Sequence, residues 1–261
     1  MVEISKLRSI GVLFALLVFA LSACATAPYT ERRQLMLIEP SQELALGQRA
    51  SAEVLSKAKP SRDPVYVEKV EQVGRKIAGA ADRPDFAWEF RVLDDPKTVN
   101  AFCLPGGKVF VYTGMFKYAE TDGELATVVA HEVAHAVARH GAERMSTALL
   151  AQTGQTVAAG LLNISSPVAL SAFNTAYGVA VEVGVTLPYS RTQEYEADRI
   201  GLILMAKAGY DPNAAVSFWE KMKSSKSGSA TPAFLSTHPT DEARIEEIKK
   251  FIPEAMKYYR R

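Results

Sequence analysis

The run Leu125 to Val137 is apolar at every position except Thr127, His131, Glu132 and His135, and Thr121-Asp122-Gly123-Glu124 stands directly before it. A Thr-x-x-Glu box satisfies free N–H groups of a first turn, so a helix is expected from about Asp122 through His140, with Gly141 as its stop. Ser190-Arg191-Thr192-Gln193 is a second such box, opening a helix that Gly209 ends. Upstream, Val67, Val70, Val73 and Ile77 recur at helical spacing after Pro64, and Ser41 opens the helix "QELALGQRASAEVLSKA". Asp211-Pro212 starts another helix, and Thr240 caps the last, "DEARIEEIKKFI".

Three stretches read as strands instead: "FAWEFRVLDD", "TVNAFCLP" and "GKVFVYTG", with Gly106-Gly107 turning between the last two. The pattern is that of an α+β domain, mainly helical with a small mixed sheet, and it occupies residues 41–261.

The N-terminus is a different polymer. Lys6 and Arg8 precede the uncharged run "SIGVLFALLVFAL" and then "LSAC". Thirteen apolar residues are short for a membrane span, so residues 1–23 are expected to be a removed signal peptide. Leu21-Ser22-Ala23-Cys24 resembles a bacterial lipobox, which makes Cys24 the lipidated residue and 24–40 a lipid anchor and extended tether. Ala25 after that cysteine favours the periplasmic face of the outer membrane. Residues 145–181 carry no charge, but Gln152, Gln155, Asn163, Pro167 and Asn174 break any clean span, so a lid or substrate groove is expected there, with membrane contact as the alternative.

Composition narrows the classes. With 48% hydrophobic and 23% charged residues the chain is globular, and a net charge of +1 gives no footprint for nucleic acid. The two cysteines are Cys24 and Cys103, so no disulfide is expected, and Cys103 reads as a small buried hydrophobe.

The chemistry lies in the first helix. His131-Glu132-Val133-Ala134-His135 is H-E-x-x-H, and residues four apart sit about 40° from each other on a helix, so both imidazoles can meet one ion. Neutral imidazole suits Zn²⁺, and Glu132 then stands beside the open position as general base. A third ligand must come from another helix. Glu194 fits, with Asp198 one turn later to orient a ligand histidine. Glu196 points about 200° away from Glu194 and is set aside. His140 lies about 140° from His135 and is expected to be only a helix-end residue. One Zn²⁺ per chain is expected.

"NAFCLPGGKVFVYTGM", "HEVAHAVARHG", "SRTQEYEADRIG" and "STHPTDEAR" together resemble the zinc metallopeptidase family that includes the CAAX prenyl proteases, HtpX, the Oma-type proteases, BepA and LoiP. The lipobox and the missing repeat tail make the chain more similar to LoiP than to BepA. The resemblance implies a gluzincin fold and zinc-dependent endopeptidase activity on unfolded or misassembled envelope proteins, with the outer-membrane assembly machinery as a further partner. It also implies that Gly107, Lys108, Val109, Phe110 and Val111 form the sheet edge that binds substrate, and that His238 and Arg244 stabilise the oxyanion, or that His238 caps the zinc at rest. The alternative from another class is a zinc-stabilised chaperone or assembly factor that does not cut.

Overall fold

The computed structural model describes residues 24–152, 189–225 and 231–259. Residues 1–23, expected to be a signal peptide, and residues 153–181 of the uncharged stretch lie outside them. Among the described residues no helix is long and apolar enough to cross a membrane.

The chain opens with a two-stranded antiparallel hairpin, β1 (Cys24–Thr26) and β2 (Arg33–Leu35). Helices α1 (Pro40–Lys57) and α2 (Pro64–Ala81) follow. A three-stranded sheet then forms from β3 (Glu89–Leu93), β4 (Ala101–Leu104) and β5 (Lys108–Tyr112). Next come α3 (Asp122–Val137) and α4 (His140–Gln152), and, beyond residue 188, α5 (Arg191–Lys207), α6 (Ala214–Ser224), the short α7 (Ala233–Thr237) and α8 (Glu242–Ala255).

Helix α3 is the axis of the core. Both hydroxyl and carboxylate of its Thr121/Glu124 box make their capping bonds, and every side chain from Glu124 to Val137 is buried. Helix α5, opened by the Ser190/Gln193 box, packs most closely against it. Gly201 permits this approach, because a Cβ there would sit 3.3 Å from Ala130 C and His131 N. The contact brings the first turns of α5 to the middle of α3, where the motif histidines lie. Trp219, Phe218 and Phe234 fill the space between α6, α7 and α3, and the Trp219 ring meets His131 edge-on at 5.6 Å.

Four expectations need correction. The segment 107–111 is not a sheet edge: β5 is the central strand, parallel to β3 and antiparallel to β4. The reason is the connection: Gly106 and Gly107, both at positive φ, turn the chain back from β4 so that β5 enters between β4 and β3. The strand beside α3 is β4. Second, α3 stops at Val137, and Arg139 adopts a left-handed φ of 56°, so His140 starts a new helix. Arg139 is held there by bonds to Glu43 Oε2 (2.7 Å) and the Ile38 carbonyl (2.9 Å). Third, the cap of α8 is Asp241, whose carboxylate accepts from Arg244 N, one residue after the expected Thr240. Fourth, residues 24–40 are not an extended tether. They form the hairpin and lie on the domain, with Ala27 and Gln34 buried.

Candidate active site

Four side chains from three elements converge. His131 and His135 come from successive turns of α3, Glu194 from the first turn of α5, and His238 from the residue that ends α7; all are buried. His131 Nε2 lies 3.0 Å from His135 Nε2 and 3.1 Å from His238 Nδ1. Glu194 Oε1 lies 3.3 Å from His135 Nε2 and 3.0 Å from His238 Nδ1. One donor atom of each falls within 4.8 Å of the others.

These spacings test the fit to zinc. Tetrahedral donors at metal–ligand bonds of 2.0–2.1 Å stand about 3.3 Å apart, close to the separations of this cluster. Three imidazole nitrogens and a carboxylate oxygen facing one point are also lone pairs facing lone pairs. A cation satisfies them together, whereas mutual hydrogen bonds can serve only some of them. The residues fit one zinc ion.

Each ligand is backed by a buried partner. Asp198, one turn beyond Glu194, places Oδ1 3.0 Å from His131 Nδ1. Arg244 grips Asp198 through two bonds, Nε to Oδ2 at 2.7 Å and Nη2 to Oδ1 at 2.8 Å, and its Nη1 reaches Glu194 Oε2 at 2.5 Å. Its guanidinium carbon lies 3.8 Å from the Trp219 ring centre. The expected oxyanion role for Arg244 therefore gives way to a different one: the guanidinium is buried and already bound to two carboxylates, so it positions the ligands. Burial alone would raise the Glu194 carboxyl, but Arg244, His238 and His131 hold it well below the usual carboxylate range. Asp198 is likewise held low by Arg244 and His131 against its burial.

His140 also differs from expectation. Because the chain turns at Arg139, its ring swings behind His135, with Nδ1 2.8 Å from His135 Nδ1 and Nε2 2.9 Å from Glu196 Oε2. Glu196, set aside as a ligand, thus supports one from the other face of α5. Burial works against its charge, but His140, Thr30 and Arg32 bring its carboxyl down to about 2.

Glu132 lies beside the cluster. Its Oε1 is 3.2 Å from His238 Nε2, and the Cys103 main-chain N–H of β4 is directed at its carboxylate. Burial raises its pKa, more than His238 and His131 lower it. Tyr189, which the sequence did not single out, stacks on His135 with ring centres 3.9 Å apart. Its place just before the Ser190 cap was the available signal. Lys108 of the supposed substrate strand points elsewhere, bonding the Ala87 carbonyl and Glu89. Cys103 is a buried free thiol whose pKa is pushed up by burial, which keeps it neutral, in keeping with a small buried hydrophobe rather than a nucleophile.

The model of Peptidase family M48 matches residues 65–252, a span that contains every member of this cluster. The chain belongs to Peptidase family M48. It is 39% identical over 234 residues to the mitochondrial metalloendopeptidase OMA1 of Schizosaccharomyces pombe, covering 87% of this chain and 66% of the relative. It is 32% identical over 263 residues to the human metalloendopeptidase OMA1, covering 96% of this chain and 50% of that one. With the β-barrel assembly-enhancing protease of Escherichia coli K12 it shares 29% identity over 213 residues, covering 80% of this chain and 43% of the relative. The chain spans two thirds or less of the length of these three relatives. Its M48 membership makes it a zinc metallopeptidase, and the four-residue cluster is where the donors for its one ion stand.

Proposed function

We propose that the chain is a zinc-dependent endopeptidase that cuts extended, unfolded polypeptides in a bacterial cell envelope, where the lipid on Cys24 holds it at the periplasmic face of the outer membrane. The observation that carries the catalytic part is the Glu132 carboxylate, buried beside three imidazoles and a glutamate that fit one ion. Bound zinc supplies a Lewis acid for the scissile carbonyl and lowers the pKa of a water to about 7. His131, His135 and Glu194 would hold it. Glu132 takes the proton of the attacking water and passes it to the leaving nitrogen, a task suited to a carboxylate whose pKa burial has raised.

His238 has two relevant nitrogens. Nδ1 faces Glu194 within the donor cluster and Nε2 faces Glu132, so the side chain would cover the site at rest and would have to move for a substrate to enter. The oxyanion role is thereby secondary to the closing one.

Substrate is expected to add as a strand to β4. In the antiparallel pair the main-chain groups of Asn100 and Phe102 face β5, so those of Ala101 and Cys103 face outward, toward Glu132. A main-chain ladder binds without demanding a side-chain sequence, which suits unfolded substrates and misassembled envelope proteins. The assembly-enhancing name of one relative motivates outer-membrane proteins as the class to assay first.

A non-cutting chaperone has no use for a buried general base, and Glu132→Gln separates the two readings. The zinc-loaded variant is expected to bind a reduced, unfolded protein while leaving it intact. Cleavage at the parental rate would rule out the proposed chemistry, and restoration of cellular function by the variant would favour the chaperone.

A further inference from the structure

Residues 30–34, between the hairpin strands and on β2, reach the back of the zinc-ligand cluster. Arg32 Nε donates to Glu196 Oε2 at 2.6 Å, and the Thr30 hydroxyl donates to Glu196 Oε1. The two remaining Arg32 nitrogens make a fork on Glu143 of α4, 2.7 Å to each oxygen. Gln193, the residue before Glu194, also donates to Glu143 Oε2 at 2.7 Å. Gln34 donates to the carbonyl of Ala138 at 2.7 Å, in the turn that delivers His140. The segment therefore ties together α4, α5 and the α3–α4 turn at the point where His140 and Glu196 meet.

The hydrogen bonds have one consistent direction. If His135 offers its Nε2 lone pair to the ion, its proton sits on Nδ1 and is donated to His140 Nδ1, 2.8 Å away. His140 then carries its own proton on Nε2 and donates it to Glu196 Oε2. Glu196 is almost wholly buried, and without the hairpin its donors among the described residues reduce to that one imidazole. A buried carboxylate left with so little compensation relaxes toward water, and the imidazole that depends on it loses its anchor.

We propose that the Thr30–Gln34 segment is a structural part of the metal site, fixing Glu196, through it His140, and through that the ligand His135, so that releasing the segment weakens the hold on zinc. The inference rests on the zinc reading of the cluster. It makes Arg32, Glu196 and His140 positioning residues, and it joins the end of the chain that leads to Cys24 to the site itself.

The test uses the full-length chain, with zinc affinity read by competition with a chromophoric chelator and ligand geometry read from the visible spectrum of the Co²⁺-loaded protein. Glu196→Ala is expected to weaken zinc binding about 10- to 100-fold and to shift the Co²⁺ bands, the usual scale for losing support behind a ligand. Arg32→Ala should move both in the same direction by less, and Glu196→Gln, which keeps an acceptor for His140, should recover most of the affinity. Arg33→Ala, on the exposed side of the same strand, should change neither. If Glu196→Ala fails to fold, Arg32→Ala and Thr30→Val decide. Parental zinc affinity and an unchanged Co²⁺ spectrum in the folded variants would overturn the proposal while leaving the zinc site standing. A parent chain that takes up no zinc would instead overturn the site, and the proposal with it.

Discussion

The two ligand histidines of α3 are supported in opposite ways. Behind His131 stands a carboxylate, Asp198, clamped by the Arg244 fork over the Trp219 ring, and every group in that set is buried. Behind His135 stands a second imidazole, His140, then Glu196, then Arg32, whose side chain is about a quarter exposed. One flank is a dry ion-paired core built from α5 and α8. The other runs out through α4 and α5 to the N-terminal hairpin and ends near solvent. The difference teaches that one flank is fixed by folding of the C-terminal helices, whereas the other depends on a segment at the far end of the chain.

The most severe way to break the comparison is on the dry side. Arg244→Met strips the charge that compensates two buried carboxylates, and removing one member of a buried ion set costs about 3–5 kcal/mol. Chemical denaturation of the apo chain should show that loss. A cost under about 1 kcal/mol would mean Asp198 and Glu194 do not rely on it. Asp198→Asn is milder, since it keeps shape but removes the charge facing His131 Nδ1. It should lower zinc affinity about 10- to 100-fold, measured by chelator competition, with the fold retained by circular dichroism. Comparing it with Glu196→Gln ranks the two flanks directly. The smallest effect is expected from Thr121→Ala, which removes the cap at the start of α3, away from both flanks. It should cost about 1 kcal/mol of stability and leave zinc affinity at the parental value.

The same contrast governs what could be read from the sequence. His131, Glu132 and His135 were legible because four residues make about one helical turn, and Glu194 with Asp198 because they repeat that spacing on a capped helix. Both capping boxes formed as their residues specify. The partnership of Arg244 with Asp198 and Glu194 joins residues 46 or more apart and has no local pattern, so only its nearness to the site was anticipated.

His140 was misplaced because phase was carried along an unbroken helix, whereas Arg139 turns left-handed, and nothing in a non-glycine residue announces that. Glu43 and Ile38, which hold the turn, lie about a hundred residues away. The central position of β5 had no decisive signal in its residues. Val109-Phe110-Val111 is buried on both faces, but so are Ala101, Cys103 and Leu104 of the outer strand β4, so hydrophobicity does not tell which strand is central. The hairpin was illegible for another reason. Its strands have three residues each, and the bonds that hold Arg32 and Gln34 are to partners more than a hundred residues on.

The central claim is that His131, His135 and Glu194 hold the zinc with which Glu132 cuts peptide bonds. The most direct measurement is bound metal per full-length chain, taken together with mass-spectrometric mapping of cuts in a reduced, unfolded protein before and after chelation. The account predicts one zinc per chain and internal cuts that disappear with the metal and return when zinc is restored. Absence of stoichiometric zinc, or cutting that survives its removal, would contradict it.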